Sequence, residues 1–85
     1  MARYSLVFKK SVVKDFQRIP REPADKILVR IAGLADEPRP CGSEKLANQE
    51  RYRVRQGVYR ILYEINDGEL VVTLIKVSHR KDAHR

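Results

Sequence analysis

The sequence predicts an α+β fold, in which an N-terminal strand and a two-helix hairpin pack on one face of a small, mostly antiparallel four-stranded sheet. Helical periodicity is confined to residues 9–35, strand alternation occupies the rest of the chain, and turn sequences divide that rest into strand-length segments. A chain of 85 residues has the length of one domain, so we expect a single domain over residues 1–85.

The first elements are a strand and a short helix. Residues Arg3 to Phe8 alternate in the manner of a strand. Residues Lys9 to Arg18 are predicted to form a helix that Pro20 brings to an end. One face of this helix carries its apolar side chains, Val12, Val13 and Phe16.

A second helix has the clearest periodicity in the chain. Pro23 suits its first turn, and Pro38 and Pro40 close it off and begin a loop. Its apolar stripe comprises Ala24, Ile27, Leu28, Ile31, Leu34 and Ala35.

Three more strands are predicted after the helices. The first runs from about Lys45 to Arg55 and is interrupted near Asn48-Gln49, the second runs from Val58 to Ile65, and the third runs from Leu70 to Val77. Asn66-Asp67-Gly68 is predicted to be a hairpin turn, since Asp-Gly tolerates the positive φ angles of tight primed turns.

The hairpin between Tyr52 and Tyr63 is the most informative segment. A two-residue turn at Gln56-Gly57 would set Arg55 across from Val58 and Arg53 across from Arg60. The same alternation predicts that apolar and aromatic side chains face the helices; they are Tyr52, Val54, Tyr59, Ile61 and Tyr63. We expect the tyrosines to pack in the core, although base stacking is open to any that is exposed.

Arginines gather on the other face of this hairpin. Arg53, Arg55 and Arg60 share that face, whereas Arg51 is placed on the opposite side. Like charges that face each other across strands are destabilising, so the cluster favours a bound anion, and guanidinium groups match phosphate oxygens. The alternative is that these arginines are simply solvated. Lys45, at the start of the same sheet, could add a phosphate contact.

Composition narrows the class of partner. The formal net charge of +7 and the isoelectric point near 9.9 are typical of proteins that meet nucleic acid, an anionic membrane or an acidic protein, although charge can also serve solubility. No apolar run is long enough to cross a membrane, and the basic residues do not lie opposite a long exposed apolar helical face, so we expect no membrane partner. A single cysteine, Cys41, forms neither an internal disulfide nor a thiolate metal site, which favours the cytoplasm and predicts no metal and no cofactor.

The C-terminal tail adds a second basic cluster. Arg80 and Lys81 follow the last strand and are flanked by His79 and His84. Metal-free RNA cleavage needs a base for the 2′-hydroxyl and an acid for the 5′-oxygen, and histidine can serve as either near neutral pH. Two plainer interpretations remain open: His79 caps the strand end, and His84 belongs to a frayed terminus.

Carboxylates are a further possibility. Glu44, Glu50 and Glu64 are candidates for a general base only where the fold turns them toward the arginines.

Four segments occur in an order and spacing typical of one known family. They are Phe8-Lys9-Lys10-Ser11 before Lys14-Asp15-Phe16, Pro38-Arg39-Pro40 before Lys45-Leu46, Tyr-Arg-x-Arg-x-Gly-x-Tyr-Arg-Ile-x-Tyr from Tyr52 to Tyr63, and His-Arg-x-Asp-x-x-Arg from His79 to Arg85. Across almost its whole length the chain resembles the RelE/ParE toxin superfamily of bacterial and archaeal toxin–antitoxin systems. The resemblance implies a sheet packed on an N-terminal helical hairpin.

The resemblance also implies one of two activities. RelE-like members cleave mRNA in the ribosomal A site through attack of the 2′-oxygen and without a metal, whereas ParE-like members inhibit DNA gyrase. The motif favours the RelE branch, in which Arg53 and Arg55 match a basic pair near the scissile phosphate. Arg60 matches a transition-state arginine and Arg80 a second phosphate-binding one, while His84 stands where relatives often carry tyrosine. The implied partners are mRNA on the ribosome and an acidic, RelB-like antitoxin in a toxin–antitoxin hetero-oligomer.

Overall fold

The computed structural model describes residues 3–46 and 50–82, which form two helices on one face of a mixed sheet. In chain order the elements are β1 (Ser5–Phe8), α1 (Lys10–Gln17), α2 (Arg21–Leu34), β2 (Glu44–Lys45), β3 (Arg51–Gln56), β4 (Tyr59–Asn66), β5 (Val71–His79) and a C-terminal 3₁₀ turn (Arg80–Asp82). No helix in these ranges is long and apolar enough to cross a membrane.

The predicted α+β class is confirmed, but the described part of the sheet has five strands rather than four. Its order is β1-β5-β4-β3-β2, with β1 parallel to β5 and the other neighbours antiparallel. The segment predicted as one interrupted strand folds back on itself, so that Glu44 pairs with Arg53. Alternation alone does not reveal such a reversal. The interruption predicted near Asn48-Gln49 lies outside the described residues.

Both helices bury a single stripe of apolar side chains. Val12 of α1 is fully buried, and α1 ends at Gln17, before the predicted stop at Pro20. Helix α2 begins at Arg21, so Pro23 occupies its first turn as expected. Its buried side chains are Ile27, Ile31 and Leu34.

The core lies between these helices and the inner face of the sheet. Its buried strand residues include Val54, Ile61, Tyr63, Val72 and Leu74. A fully buried aliphatic side chain stabilises the fold by about 1.5–3 kcal/mol, so these contacts hold the helices to the sheet.

The three tyrosines of the hairpin face the helices, as predicted. Tyr63 is fully buried, Tyr52 is nearly so, and half-buried Tyr59 packs against the core. The Tyr63 hydroxyl donates a hydrogen bond to the Pro38 carbonyl oxygen at 2.7 Å, and burial raises the pKa of Tyr63 to about 12. None of these rings lies on the outer face of the sheet.

The β3–β4 turn differs from the predicted one by a shift of register. Gln56 pairs with Tyr59, so the turn consists of Gly57 and Val58 rather than Gln56 and Gly57. Gly57 has a φ of 61°, which a glycine adopts without strain at the first central position of a primed turn. Arg55 therefore lies across from Arg60 instead of Val58. The shift is two residues, so every side chain keeps its predicted face.

The β4–β5 connection is a hairpin, but not a tight primed turn. The positive φ falls on Leu70, at 55°, rather than on Asp67 or Gly68. The Asn66 side-chain oxygen accepts a hydrogen bond from the Glu69 N–H at 2.9 Å. This side-chain contact closes a longer loop that the Asp-Gly pair does not specify.

Candidate functional site

The outer face of the sheet, opposite the helices, carries four arginines. Arg51, Arg53 and Arg55 alternate along β3, and Arg60 lies beside them on β4. We call these four residues the cationic face. The prediction that Arg51 lies on the opposite side is wrong. Arg51 is two residues from Arg53 on one strand, and side chains at that spacing share a face.

Two of these arginines have carboxylate partners on the same face. Arg53 Nη2 lies 3.0 Å from Glu44 Oε1, and Arg51 Nε lies 2.9 Å from Glu64 Oε2. Both pairs are directly opposite in the strand register. Of the three carboxylates considered as general bases, Glu44 and Glu64 are turned toward the arginines, whereas Glu50 pairs with Lys45.

The other two arginines have no carboxylate partner among the side chains that the structure describes, those of residues 3–46 and 50–81. Arg55 and Arg60 lie directly opposite each other, which places two like charges across adjacent strands. The Nε atom of Arg60 is buried without a hydrogen-bond acceptor in the described structure, as is that of Arg53. A buried donor without an acceptor costs about 1–3 kcal/mol, so both features favour an anion at this position.

The start of the tail is attached to the same end of the sheet. The Arg80 N–H donates a hydrogen bond to the Val58 carbonyl oxygen at 2.7 Å. Because Val58 belongs to the β3–β4 turn, the backbone of Arg80 lies at the end of the sheet that holds Arg55 and Arg60. Arg80 and Lys81 are both exposed.

His79 makes the contacts of a strand-end residue. Its Nδ1 accepts a hydrogen bond from the Lys81 N–H at 3.1 Å, and its ring packs edge-on to Tyr59 at 5.4 Å between centroids. Its partner in the register is also Tyr59, so His79 lies on the helix side rather than with the cationic face. His84 lies outside the described residues.

Lys45 is likewise separated from the arginines. It pairs with Tyr52 in the register and therefore belongs to the helix side of the sheet, where its Nζ is 3.4 Å from Glu50. The fold thus brings together Arg53, Arg55 and Arg60, with the backbone of Arg80 nearby, but not Lys45 or His79.

The arrangement suits the binding of a phosphodiester. Two arginines without carboxylate partners supply bidentate donors, and Glu44 supplies a carboxylate within contact distance of Arg53. In the described ranges no cluster of three His, Cys, Asp or Glu side chains is placed to hold a metal ion. A carboxylate such as that of Glu44 can accept a proton from a hydroxyl group bound beside these arginines.

Comparisons with known proteins agree on one superfamily. Residues 6–84 match the family model of the ParE toxin of type II toxin–antitoxin systems, parDE. Toxin RelG of Mycobacterium tuberculosis is 30% identical over 96% of this chain and 97% of its own length.

Solved structures extend the similarity to three dimensions. A chain of the toxin–antitoxin complex RelBE2 from M. tuberculosis superposes with a TM-score of 0.84 at 27% identity, covering 96% of this chain and 97% of that one. A chain of the archaeal RelE–RelB complex from Pyrococcus horikoshii has a TM-score of 0.83 at 30% identity, covering 96% and 99%.

Proposed function

This chain belongs to the ParE toxin family of type II toxin–antitoxin systems, within the RelE/ParE superfamily, and we propose that it is an endoribonuclease that cuts mRNA in the ribosomal A site. Curated proteins to which it is similar include the toxins RelG and RelE of M. tuberculosis. The activity requires translating ribosomes and therefore belongs in the cytoplasm.

The observation that carries this proposal is the Arg55–Arg60 pair. Arg55 and Arg60 lie opposite each other in the register with no carboxylate partner among the described side chains, and Arg60 Nε is buried without an acceptor there. A phosphate between them would satisfy that donor and remove the repulsion. It would also gain stabilisation as negative charge develops during the reaction.

The proposed reaction transfers the phosphate from the 5′-oxygen to the neighbouring 2′-oxygen. The 2′-oxygen attacks phosphorus while a base removes its proton, and the bond to the 5′-oxygen breaks as an acid protonates it. The products are a 2′,3′-cyclic phosphate and a 5′-hydroxyl. Arginine is a poor proton donor because its pKa exceeds about 12, so the arginines act by holding charge.

Individual roles follow from position. Arg60 and Arg53 bind the phosphate oxygens that become more negative, Arg55 holds the flanking backbone, and Arg80 adds a contact from the tail. Glu44 is 3.0 Å from Arg53 and is our candidate for the base that removes the 2′-hydroxyl proton. We assign the acid to His84, with Lys81 and His79 as weaker phosphate contacts and Lys45 as an outlying one.

We further propose that the chain forms a hetero-oligomer with an acidic, RelB-like antitoxin. Similar structures from M. tuberculosis and P. horikoshii are of toxin–antitoxin and RelE–RelB complexes. The carboxylates of such a partner would neutralise Arg55 and Arg60, which have no carboxylate partner among the described residues. The same pair would then serve both inhibition and catalysis.

The second candidate function is inhibition of DNA gyrase by binding. It is favoured by the matching family model, which is that of the ParE toxin. On this hypothesis the cationic face would contact an acidic protein surface or DNA, and no RNA bond would break.

One pair of assays separates the two functions. Purified toxin is added to translating ribosomes, and the mRNA 5′ ends are mapped by primer extension beside a gyrase supercoiling assay. Codon-phased cuts that disappear in Arg60→Ala and Arg80→Ala support the nuclease, and intact mRNA with blocked supercoiling supports the gyrase inhibitor. His84→Gln tests the acid: an unchanged cleavage rate would exclude that role.

A further inference from the structure

The outer face of the sheet carries a cation on β5, Lys76, in addition to the four arginines of the cationic face. Lys76 lies directly opposite Leu62 on β4, and Leu62 lies opposite Arg53 on β3. Side chains at opposed positions share a face, so Lys76 leaves the sheet on the side of Arg53 and Arg60, away from the helices. We propose that Lys76 binds the RNA phosphate adjacent to the one that is cut, an inference that rests on the proposed nuclease function.

A β-bulge places Lys76 on this face. Leu74 and Lys76 pair with neighbouring residues of β4, so Ile75 between them is an extra residue without a partner on that strand. Strict alternation from buried Leu74 would direct Lys76 toward the helices. The extra residue reverses the alternation, so that Lys76 is exposed and Val77 is buried. Bulges often re-aim a side chain beside a functional site, and this one adds a lysine to the face that holds the arginines.

The carboxylate contact of Lys76 leaves its charge available to a ligand. Its Nζ lies 3.5 Å from Asp15 Oδ1, and the Lys76 side chain is 56% exposed. An exposed ion pair at this distance contributes little to stability, so it is readily exchanged for a phosphate. The other oxygen of Asp15 accepts a hydrogen bond from the Val77 N–H at 2.9 Å. Lys76 can therefore turn to a ligand without leaving the Asp15 carboxylate unpaired.

Lys76 is one diagonal step from Arg60. Arg60 pairs with Ser78, two residues beyond Lys76 on β5, and diagonal neighbours of this kind lie about 7–8 Å apart. A phosphate between Arg55 and Arg60 lies over β3 and β4, whereas Lys76 projects from β5. The two positions therefore suit consecutive phosphates of one RNA strand.

The opposite end of the outer face disfavours another path for the RNA. Glu64 and Thr73 pair there, and a cleft of about 620 Å³ opens beside them. The charged residues that line this cleft are all acidic: Glu50, Glu64, Asp67 and Glu69. Carboxylates repel phosphates, so an RNA strand bound at Arg55 and Arg60 is directed across the strands rather than along them. Lys76 is the lysine of β5 that lies in that direction.

Binding of RNA fragments that cannot be cut tests the inference. A 2′-O-methyl dinucleoside monophosphate, with one phosphate, and a 2′-O-methyl trinucleoside diphosphate, with two, are titrated into the free toxin at low salt and followed by NMR. We expect Lys76→Gln to weaken trinucleotide binding by about three- to fivefold, the effect of one exposed charge contact, and to leave dinucleotide binding within about twofold. The loss should shrink as the salt concentration is raised. Equal losses for the two fragments, or no loss for either, would overturn the inference.

Two further variants separate a phosphate contact from a general effect of charge or folding. Lys26→Gln removes an exposed lysine of α2, on the helix side of the sheet, and should change neither affinity. Asp15→Asn frees Lys76 yet keeps an oxygen for the Val77 N–H, so trinucleotide binding should strengthen about twofold. Trinucleotide losses of equal size in Lys26→Gln and Lys76→Gln, or weaker binding by Asp15→Asn, would contradict the inference.

The outcomes for Lys76 and for the proposed nuclease are distinguishable. A selective loss of trinucleotide binding in Lys76→Gln, together with intact mRNA on ribosomes treated with the wild-type toxin, would remove the nuclease and keep Lys76 as an RNA contact. Codon-phased cleavage by the wild type, with no effect of Lys76→Gln on either fragment, would remove Lys76 alone.

Discussion

Arg39 is fully paired at the end of the sheet where β4 turns into β5, whereas Arg55 and Arg60, at the opposite end where β3 turns into β4, have no carboxylate partner among the described side chains. At the first end, Arg39 binds Asp67 with two nitrogens at 2.9 and 3.2 Å and donates from Nε to the Tyr52 hydroxyl at 3.1 Å. The Tyr4 hydroxyl donates to the same carboxylate at 2.6 Å. At the second end, Arg55 and Arg60 face only each other in the described register.

The pKa values of Asp67 and Arg39 are shifted by the hydrogen bonds of this network. Hydrogen bonds from Arg39 and Tyr4 hold the pKa of Asp67 below its ordinary value, and hydrogen bonds to Asp67 and Tyr52 raise the pKa of Arg39. The network joins the Pro38-Arg39-Pro40 loop to β3 and to the β4–β5 turn. The difference between the two ends teaches that a carboxylate partner ties Arg39 into the fold, whereas Arg55 and Arg60, which have none among the described side chains, are available to a ligand. Arg53 is intermediate, since Glu44 contacts it on the same face as that pair.

The largest expected effect is a loss of cleavage when an arginine is removed from the end of the sheet that holds Arg55 and Arg60. Arg60→Ala should lower ribosome-dependent cleavage by about 10²–10³-fold, because a donor to the developing charge is lost. The melting temperature should stay the same or rise, since the repulsion with Arg55 is relieved. Arg51→Ala, which removes an arginine already paired with Glu64, should change cleavage by less than about threefold. Similar losses in both variants would abolish the distinction between paired and unpaired arginines.

Glu44→Gln tests what happens when Arg53 loses its carboxylate partner. Arg53 loses its carboxylate partner, so phosphate and RNA binding at low salt should strengthen about two- to fivefold. Cleavage should nevertheless fall by about 10²-fold, because the candidate base is removed. Single-turnover kinetics with a separate binding assay measure both quantities. If cleavage rises together with binding, Glu44 only competes with the phosphate.

Arg39→Met tests the paired end. The variant keeps apolar contact with Tyr52 but loses the hydrogen bonds to Asp67 and Tyr52, so urea unfolding should report a loss of about 1–2 kcal/mol after allowance for solvent screening. Arg3→Met is the matched control because its pair with Asp36 is largely exposed, at 70% and 67%, and it should cost less than about 0.5 kcal/mol. Equal costs would show that the network adds nothing beyond a surface ion pair.

The smallest effect is a dependence of stability on pH at Asp67. The pKa of this carboxyl is lowered in the folded protein, so its contribution to stability is complete above the ordinary value of 3.8 and is lost as the pH falls through the folded pKa. The difference in unfolding free energy between wild type and Asp67→Asn should therefore be constant near neutral pH and shrink at lower pH. In an Arg39→Met background the same difference should depend less on pH. A difference that grows on acidification would contradict the assignment.

Much of this fold follows from periodicity. The helical stripe that buries Ile27 and Ile31, the division of the hairpin into a tyrosine face and an arginine face, and the family pattern are local properties of the sequence. They were predicted because side-chain direction depends only on spacing along one element.

Other features were missed because they depend on pairing between segments. Shifting the hairpin by two residues keeps every face, so alternation did not reveal that Arg55 opposes Arg60. The fifth strand, β2, exists only through its pairing with β3. The misplacement of Arg51 was different in kind, since its spacing from Arg53 already assigned it to the cationic face.

The sequence by itself determined that this protein is an α+β toxin of the RelE/ParE superfamily with arginines on one face of its sheet. Only the tertiary structure decided which of those arginines has no carboxylate partner among the described residues, because Glu44 and Glu64 reach theirs through the strand register and not through the order of the chain. It likewise decided that Lys45 and His79 lie away from that face. The sequence specifies which residues are charged, but whether a charge is neutralised depends on its neighbours in space. Those neighbours come together only once the strands have paired.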